Sequence, residues 1–270
     1  TTLELDIVLS ADGVPVVHHD TTLNPDLTRD ASGRWLQARG PALNTLTLAQ
    51  LGQFDVGRIN PSSQYARDFA EQQAVDGERI PTLAALLEHV KRMKADHVRF
   101  NIELKRNPTR PAESPDPETF VRAVLEVLRT HGMTERSHLQ SFDWGLLKIA
   151  QRLAPELPLA FLSAQRPRFN TLHSGTWSAG LREADFKDAP ALLAAAGARL
   201  WSPHFHDLNR TLVERAREEG LRVIPWTVNE VPDMERLIDW GVDGLITDHP
   251  DRLRAVMERR GMTLPPPVAP

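Results

Sequence analysis

Two carboxylates and two histidines lie close together near the start of the chain, in the stretch LELDIVLSADGVPVVHHD (residues 3–20). Glu4 and Asp6 stand two residues apart in a run of Leu, Ile and Val, and in a strand they share a face. Two carboxylates on one face repel each other unless a cation or a proton intervenes. His18 and His19 follow a turn, and an imidazole suits proton transfer near neutral pH. The stretch therefore predicts a cation site beside an acid–base group.

A second predicted strand, HVRFNIELK, repeats this spacing, since Glu103 and Lys105 fall on one face. If the two strands are neighbours, three carboxylates converge beside one ammonium group. The strands of a parallel barrel are covered on both faces, so charges placed there need partners. Carboxylate-only ligation suits Mg²⁺ or Ca²⁺ better than zinc. We therefore predict one divalent cation, Ca²⁺ or Mg²⁺, held by Glu4, Asp6 and Glu103.

Strand-like runs alternate with segments of helical periodicity along most of the chain. This alternation predicts a parallel α/β sheet with crossover helices. The chain has about the length of a (β/α)8 TIM barrel. A doubly wound sheet is the alternative, but no Gly-rich phosphate-binding turn follows the first strand. Counting from LELDIVL gives seven main βα units, so we predict a barrel whose first unit lies upstream of Thr1.

The predicted strands are LELDIVL, VPVVHH, HVRFNIEL, HLQSF, LPLAFL, ARLWSP, LRVIPWTV and DGLIT. Residues 21–77 break the alternation, because they are irregular and rich in Asn, Pro, Asp and Arg. Four aromatic residues give this segment a means to pack, which favours a functional insertion over a disordered linker. The Pro-rich residues 263–270 predict an extended tail. We therefore expect a single barrel domain over residues 1–262, with an insertion at about 21–77 and the tail.

The composition excludes several classes of protein. The chain has 270 residues, of which 41% are hydrophobic and 25% charged. Its 32 basic and 36 acidic residues give a net charge of −4, unlike a nucleic-acid-binding protein. No cysteine is present, which excludes disulfides and thiolate chemistry. No apolar run approaches the roughly 18 residues of a membrane span. The cysteine-free composition and the tail favour a periplasmic or secreted protein.

LELDIVLSADGVPVVHHD closely resembles the signature of the glycerophosphodiester phosphodiesterase family, within the phospholipase C-like phosphodiesterase superfamily. That signature is Glu-x-Asp, a turn with Asp-Gly, and Val-Val-x-His-Asp. NIELK resembles the family's metal-binding Glu followed by Lys. RIPTL, QSFD, PWTVN and GVDGLITDHP resemble its later strand motifs, in the same order. The resemblance covers essentially the whole chain and implies a metal-dependent TIM-barrel hydrolase of glycerol and lipid metabolism.

The resemblance also implies roles for individual residues. Glu4, Asp6 and Glu103 would hold the cation, and His19 would be one of the two catalytic histidines, with His18 its variable neighbour. The candidates for substrate binding are Lys105, Gln140, Phe142 and Trp226. The lysine would bind the phosphate, whereas packing in the barrel core is the alternative role for the other three.

One part of the family pattern is missing. The family's first strand carries His-Arg-Gly, and Pro-Glu-Asn follows in the next loop, but neither motif occurs in this sequence. That His is the partner of His19, and that Arg contacts phosphate. We therefore predict that these motifs lie upstream of Thr1 and that the chain as given lacks half of its acid–base pair. In family members that act on glycerophosphodiesters, a segment at the position of residues 21–77 walls the glycerol pocket.

The implied reaction converts a glycerophosphodiester, such as glycerophosphocholine or glycerophosphoethanolamine, to sn-glycerol 3-phosphate and an alcohol. One alternative is a lysophospholipase D or sphingomyelinase D type of activity on substrates with an acyl chain. That activity requires an apolar rim, against which the polar insertion argues. The other alternative is an inactive barrel that binds phosphodiesters or metal. His19 argues against this for the intact protein, whereas loss of the first unit favours it for the fragment alone.

Overall fold

The computed structural model describes residues 2–267. Its strands are β1 (Thr2–Leu9), β2 (Pro15–Val17), β3 (Arg99–Leu104), β4 (Ser137–Ser141), β5 (Leu159–Ser163), β6 (Gln165–Arg166), β7 (Phe169–Asn170), β8 (Leu200–Pro203) and β9 (Arg222–Val223). Its α-helices are α1 (Leu48–Leu51), α2 (Gln64–Asp68), α3 (Leu83–Arg92), α4 (Pro117–Thr130), α5 (Trp144–Leu153), α6 (Ala189–Ala195), α7 (Arg210–Glu218), α8 (Val231–Trp240) and α9 (Pro250–Arg259).

Seven strands of the described range form one sheet, in the order β2-β1-β3-β4-β5-β8-β9. The β4–β5, β5–β8 and β8–β9 pairs are parallel, and the chain between the strands of each pair includes a helix. β2 instead pairs antiparallel with β1. β6 and β7 form a separate two-stranded hairpin. The predicted α/β class is therefore confirmed, and VPVVHH contains the short extra strand after β1.

The prediction of a strand over DGLIT (residues 243–247) is wrong. No strand is present there, and of LRVIPWTV only β9 is regular. The segment still runs beside β9, because the backbone N–H of Asp243 donates to the oxygen of Val223 at 2.8 Å and that of Ile246 donates to Pro225 at 3.0 Å. Pro225 has no N–H to return, which interrupts regular pairing.

The ends of the helices follow local sequence signals. The side chain of Asp116 accepts a hydrogen bond from the backbone N–H of Thr119 at the start of α4, where Pro117 and Glu118 occupy the first turn. This arrangement satisfies an otherwise unpaired N–H and places a carboxylate at the positive end of the helix. α8 ends at Gly241, whose φ of 80° lies in the left-handed region. None of the helices within residues 2–267 is both long enough and apolar enough to cross a membrane.

The contacts of the chain divide it into two compact units. The first comprises Thr1–Glu4, Met93–Asn101 and Arg136–Pro270. The second comprises Leu5–Arg92 and Ile102–Glu135. The single barrel domain stays a prediction. Of the predicted tail, residues 263–267 carry no helix or strand, and the last three residues lie outside the described range.

The first unit has a core built around two tryptophans. Trp144 and Trp201 are each 1% exposed, and the ring of Trp144 packs edge-on against Phe161 at 5.2 Å. The indole N–H of Trp144 donates to the backbone oxygen of Leu162 at 2.9 Å, and that of Trp201 donates to Oγ of Ser163 at 2.8 Å. Buried indoles with satisfied N–H groups hold the carboxyl end of β5 in a fixed position.

The second unit has a smaller core that joins the insertion to its strands. Val8 of β1 and Val16 of β2 pack against Leu23, Leu43 and Leu51, and all five are buried. Residues 21–77 contain α1, α2 and a short 3-10 helix (Leu43–Thr45) and are otherwise mostly turns and loops. Leucines at intervals along the segment therefore attach it to β1 and β2, the strands that carry the first sequence motif.

Gly57→Ala is expected to destabilise the insertion. A Cβ at this position would lie 1.8 Å from the backbone oxygen of Val75, so the two chain segments must move apart. We expect the free energy of unfolding to fall by about 1–3 kcal/mol, as overpacking typically costs. Urea denaturation measures this. Gly52→Ala is the matched control, because its Cβ would meet no atom closer than 3.5 Å. Equal effects of the two substitutions would contradict the prediction.

His138 on β4 is expected to make the protein less stable in acid. Burial lowers its pKa to about 4 from an ordinary 6.5, and the charges of Arg99 and Arg222 lower it further. Between these pH values the unfolded chain binds the proton and the folded chain does not, so stability falls as pH drops. The loss is roughly 2–3 kcal/mol between pH 6.5 and pH 4. Urea denaturation at several pH values in this window measures the free energy of unfolding of the parent protein and of His138→Gln. The variant should lose less stability than the parent as the pH falls. An equal loss in both proteins would contradict the assignment.

Candidate active site

Three carboxylates converge where β1 and β3 lie side by side. Alternation along β1 buries Leu5 and Ile7, which are 7% and 0% exposed, and turns Glu4 and Asp6 to the opposite face. Glu103 on β3 is 6% exposed. One carboxylate oxygen from each of the three lies within 4.8 Å of the others. The sequence spacing therefore placed these groups correctly, and their role as ligands stays a prediction.

Lys105 provides positive charge beside this group. Its Nζ lies 3.0 Å from Oε1 of Glu103 and 3.6 Å from Oδ1 of Asp6, and all three side chains are largely buried. Burial raises the pKa of Glu103 to about 7, and the nearby charge of Asp6 raises it as well, whereas Lys105 opposes the shift. Asp6 and Glu103 thus share one ammonium group while Glu4 lies nearby, and an additional cation would complete the charge balance of the three carboxylates.

The donor set fits a hard divalent cation. Glu4, Asp6 and Glu103 offer oxygen only, which Mg²⁺ and Ca²⁺ prefer. Ligand oxygens on opposite sides of a Ca²⁺ ion lie up to about 5 Å apart, so the separation in this group is compatible with shared coordination. Nε2 of Gln140 donates to Oε1 of Glu4 at 2.7 Å, a contact that orients this carboxylate.

His19 is held by the aspartate that follows it. Its Nδ1 lies 2.9 Å from Oδ1 of Asp20, and 61% of its side chain is exposed. This hydrogen bond raises the pKa of His19. Burial opposes ionisation of Asp20, yet hydrogen bonds from His19 and Asn24 lower the pKa of Asp20 to about 2. With Nδ1 held by a permanent carboxylate, Nε2 is the nitrogen that can exchange protons with a substrate.

His18 has a different environment, although it is the next residue. Its Nδ1 lies 2.8 Å from the backbone oxygen of Asp20, and its backbone N–H donates to the oxygen of Asp6 at 3.0 Å. Burial lowers the pKa of His18, so the ring favours the neutral form. The two imidazoles therefore have different roles. The ring of His19 is exposed and hydrogen-bonded to a carboxylate, whereas the ring of His18 is half-buried and stabilises the turn.

The remaining candidates occupy the ends of strands in the first unit. Gln140 is 1% exposed and donates to Glu4, so its amide contacts a proposed metal ligand. The rings of Phe142 and Trp226 meet at 5.3 Å and 88°, and both are half-buried. The indole N–H of Trp226 donates to the backbone oxygen of Ser202 at 2.9 Å. The structure brings these two aromatic residues together, and their contact with substrate stays a prediction.

Three further aromatic side chains, which are not among the residues predicted from the sequence, extend this pair. Phe169 packs against Phe142 at 5.3 Å, Trp177 packs against Phe142 at 6.3 Å, and His204 packs against Trp226 at 5.0 Å. His204 comes directly after β8, where strand ends of a barrel build its site, so its position was a usable signal. Phe169 lies in β7 and Trp177 in the loop that follows, both between β5 and α6, and no spacing rule predicts that they meet Phe142.

Comparison with known sequences places this chain in a family. The profile of the Glycerophosphoryl diester phosphodiesterase family matches residues 1–252. The chain is 28% identical over 256 residues to glycerophosphodiester phosphodiesterase of Bacillus subtilis (strain 168), covering 94% of the chain and 75% of that relative. It is 29% identical over 259 residues to the protein of the same name from Caldanaerobacter subterraneus subsp. tengcongensis, covering 96% and 86%.

Solved structures agree with the sequence match. A protein from Silicibacter pomeroyi DSS-3, assigned as a glycerophosphoryl diester phosphodiesterase, is 34% identical and superposes with a TM-score of 0.86 over 98% of this chain and 85% of its own. A phosphodiesterase from Oleispira antarctica, solved with the product sn-glycerol-3-phosphate, is 23% identical with a TM-score of 0.67 over 94% and 84%. These neighbours confirm the TIM-barrel fold class. The chain belongs to the glycerophosphoryl diester phosphodiesterase family.

Proposed function

We propose that this chain carries out the hydrolysis of glycerophosphodiesters to sn-glycerol 3-phosphate and an alcohol, with one divalent cation held by Glu4, Asp6 and Glu103. The observation that carries the proposal is the convergence of three carboxylates in a chain of this family. Two of its relatives are named glycerophosphodiester phosphodiesterases, and the Oleispira antarctica structure contains sn-glycerol-3-phosphate. Glycerophosphocholine and glycerophosphoethanolamine are the substrates to be tried first.

The charge arrangement supports a phosphodiester substrate. When bound, the cation would neutralise charge on the phosphate and polarise its P–O bonds. Lys105 adds a second positive group close to Asp6 and Glu103. Its low exposure limits competition from water, so its attraction for a phosphate oxygen is stronger than at an exposed position. Lys105 would therefore bind the phosphate and stabilise the charge that develops on it.

Proton transfer falls to His19. His19 follows His18, whose backbone N–H donates to the oxygen of Asp6 at 3.0 Å, so the chain brings it close to a proposed metal ligand. The Asp20 carboxylate stabilises the protonated imidazole, because it accepts the Nδ1 hydrogen. The ring thus takes a proton from the attacking hydroxyl or returns one to the leaving oxygen through Nε2.

The aromatic group of the first unit suits contacts with the rest of the substrate. Phe142 and Trp226 would pack against the alcohol part of the diester, while Gln140 fixes Glu4. Half-buried rings contribute apolar area without holding a charge of their own. A periplasmic or secreted location and a part in lipid metabolism belong to this proposal, and fractionation of cells that express the full gene tests the location.

The test is release of sn-glycerol 3-phosphate from glycerophosphocholine, measured with a coupled dehydrogenase. We expect product only when Ca²⁺ or Mg²⁺ is present, complete loss in chelator, and recovery when the cation is added back. The cation that restores the higher rate identifies the preferred metal. Full activity in chelator would contradict the role of the carboxylates. Cation binding without product release would show a binding protein rather than an enzyme.

A further inference from the structure

A charged cluster lies beside the His19–Asp20 pair within the second unit, and the proposed reaction gives it no role. Its central residue is Glu113, whose side chain is 19% exposed. Oε2 of Glu113 accepts a hydrogen bond from the hydroxyl of Thr21 at 3.1 Å, and Thr21 directly follows Asp20. The carboxylate of Glu113 is therefore anchored one residue away from the group that holds the imidazole of His19.

The main partner of Glu113 is Arg39 of the insertion. Nη1 of Arg39 donates to Oε1 of Glu113 at 2.8 Å and Nη2 donates to Oε2 at 2.6 Å, which is the two-point geometry that guanidinium and carboxylate groups favour. Nη1 of Arg110 lies 3.6 Å from the same Oε1. The hydrogen bonds from Arg39 hold the pKa of Glu113 below its ordinary value, so this carboxylate is ionised at neutral pH. Glu113 thus supplies the negative charge that binds Arg39.

The path of the chain brings Arg39 close to Asp20. The backbone N–H of Gly40, the residue after Arg39, donates to the oxygen of Leu23 at 2.9 Å, so this part of the insertion runs beside the residues that follow Asp20. The guanidinium of Arg39 and the hydroxyl of Thr21 bond to the same oxygen of the glutamate. Arg39 is therefore only two hydrogen bonds away from the residue next to Asp20.

Both oxygens of the Asp20 carboxylate already have partners. Oδ1 lies 2.9 Å from Nδ1 of His19, and Oδ2 accepts a hydrogen bond from Nδ2 of Asn24 at 2.8 Å. A guanidinium that reached this carboxylate would bind both oxygens and displace these partners. The imidazole of His19 would then lose the acceptor that keeps its hydrogen on Nδ1. The position of Arg39 therefore determines whether Asp20 can hold His19.

We propose that Glu113 is a positioning residue for His19, because it binds Arg39 and so leaves the Asp20 carboxylate to the imidazole. This inference rests on the proposed function for the part of His19 in turnover, and on the contacts of Glu113 for the mechanism. Nε2 of a neutral imidazole accepts a proton only while the ring carries its hydrogen on Nδ1. Without the aspartate the hydrogen favours Nε2, and the ring no longer acts as a base through that nitrogen.

Nitrogen NMR of the histidines measures this hydrogen bond without any turnover. The full chain has 10 histidines, and the signals of His19 are those that disappear in His19→Asn. At a pH where the ring is neutral, ¹⁵N chemical shifts distinguish a hydrogen on Nδ1 from one on Nε2. We expect the Nδ1 form in the parent protein and a shift towards the Nε2 form in Glu113→Gln, since glutamine keeps a hydrogen-bond acceptor but loses the charge that binds Arg39. Other charged groups that act on the ring of His19 are the same in both proteins: Asp6, Glu103 and Lys105.

Two further variants separate the effect of the guanidinium from that of a lost structural contact. Arg39→Gln combined with Glu113→Gln removes the competing group, so His19 should return to the Nδ1 form. Asn44→Ala is the matched control, because Nδ2 of Asn44 donates to the oxygen of Ala112 at 3.2 Å and so attaches the same turn to the insertion. It should leave His19 in the Nδ1 form. An unchanged ring in Glu113→Gln, no recovery in the double variant, or an equal shift in Asn44→Ala would each overturn the inference.

Turnover of glycerophosphocholine separates this inference from the proposed function. In Glu113→Gln we expect kcat to fall about 10-fold or more, short of the loss of the whole acid–base group, with KM nearly unchanged and kcat recovered in the double variant. The NMR shift together with this loss of kcat supports both. The NMR shift in a protein that releases no sn-glycerol 3-phosphate supports the positioning of the ring and contradicts the proposed function. Turnover with neither kcat nor the ring changed in Glu113→Gln overturns the inference and leaves the proposed function standing.

Discussion

Glu103→Gln is expected to abolish high-affinity binding of a divalent cation and, with it, hydrolysis of glycerophosphodiesters. Gln keeps the shape of the side chain but removes the charge from the most buried member of the carboxylate group. We expect affinity for Ca²⁺ or Mg²⁺ to fall more than about 100-fold, since even outer-shell changes cost 10-fold to 100-fold. Isothermal titration of the metal-free protein measures this directly.

The stability of the same variant separates a metal ligand from a structural residue. In the metal-free protein the Glu103 carboxylate is buried beside Asp6, and both features raise its pKa. Neutral Gln relieves that repulsion, so the midpoint of thermal unfolding should hold or rise without metal. Glu113→Gln is the matched control, because Glu113 pairs with Arg39 outside the carboxylate group. Cation affinity unchanged in Glu103→Gln, or equally lost in Glu113→Gln, would contradict the assignment.

The sheet was predictable because its strands carry strong local patterns. Parallel strands buried on both faces appear as apolar runs, and Pro, Asp and Gly mark the helix ends between them. The last predicted strand was wrong because Pro225 prevents a continuous hydrogen-bonded ladder opposite it. The residues of DGLIT do not indicate this loss of regular pairing, because its cause, Pro225, lies in the neighbouring segment.

The carboxylate site was predictable for a similar reason. Glu4 and Asp6 share a face by simple alternation, and the NIELK motif on a neighbouring strand brings Glu103 to them. The partner of Glu4 was not predictable in the same way. Gln140 is buried at the end of β4, and its amide donates to a carboxylate 136 residues away. Periodicity indicates which face a residue occupies, but it does not identify the group on another strand that it meets.

The insertion shows what average composition leaves undetermined. Residues 21–77 are rich in charged and polar side chains, which argued against an apolar rim. In the structure many of these charges pair with each other, as Arg29 does with Asp55 and Asp76 and as Arg58 does with Asp76. The apolar residues are gathered in two places: Leu23, Leu43 and Leu51 pack in the core with β1 and β2, and a second group lines a pocket. The average polarity of a segment does not reveal where its apolar side chains gather, because their grouping depends on which loops meet in the folded chain.

His19→Asn is expected to lower kcat for glycerophosphocholine by about 100-fold to 10,000-fold, the usual contribution of a general acid–base group. Cation affinity should stay unchanged, since His19 is not among the carboxylate ligands. His18→Asn is the matched control on the adjacent imidazole. His18 bonds to the backbone of Asp20 and lines the pocket, so its replacement should change kcat for glycerophosphocholine less than about 10-fold.

The pH profile adds a second readout for His19. As a base it must be neutral, so the rate rises with pH through its pKa, which the hydrogen bond to Asp20 raises. Asp20→Asn removes the charge that favours the imidazolium, and the rising limb of kcat/KM should therefore move to lower pH. If the rise of kcat/KM with pH stays at the same pH in Asp20→Asn, a group other than His19 determines it. Equal losses of kcat in His19→Asn and His18→Asn would show that the turn, rather than one imidazole, supports catalysis.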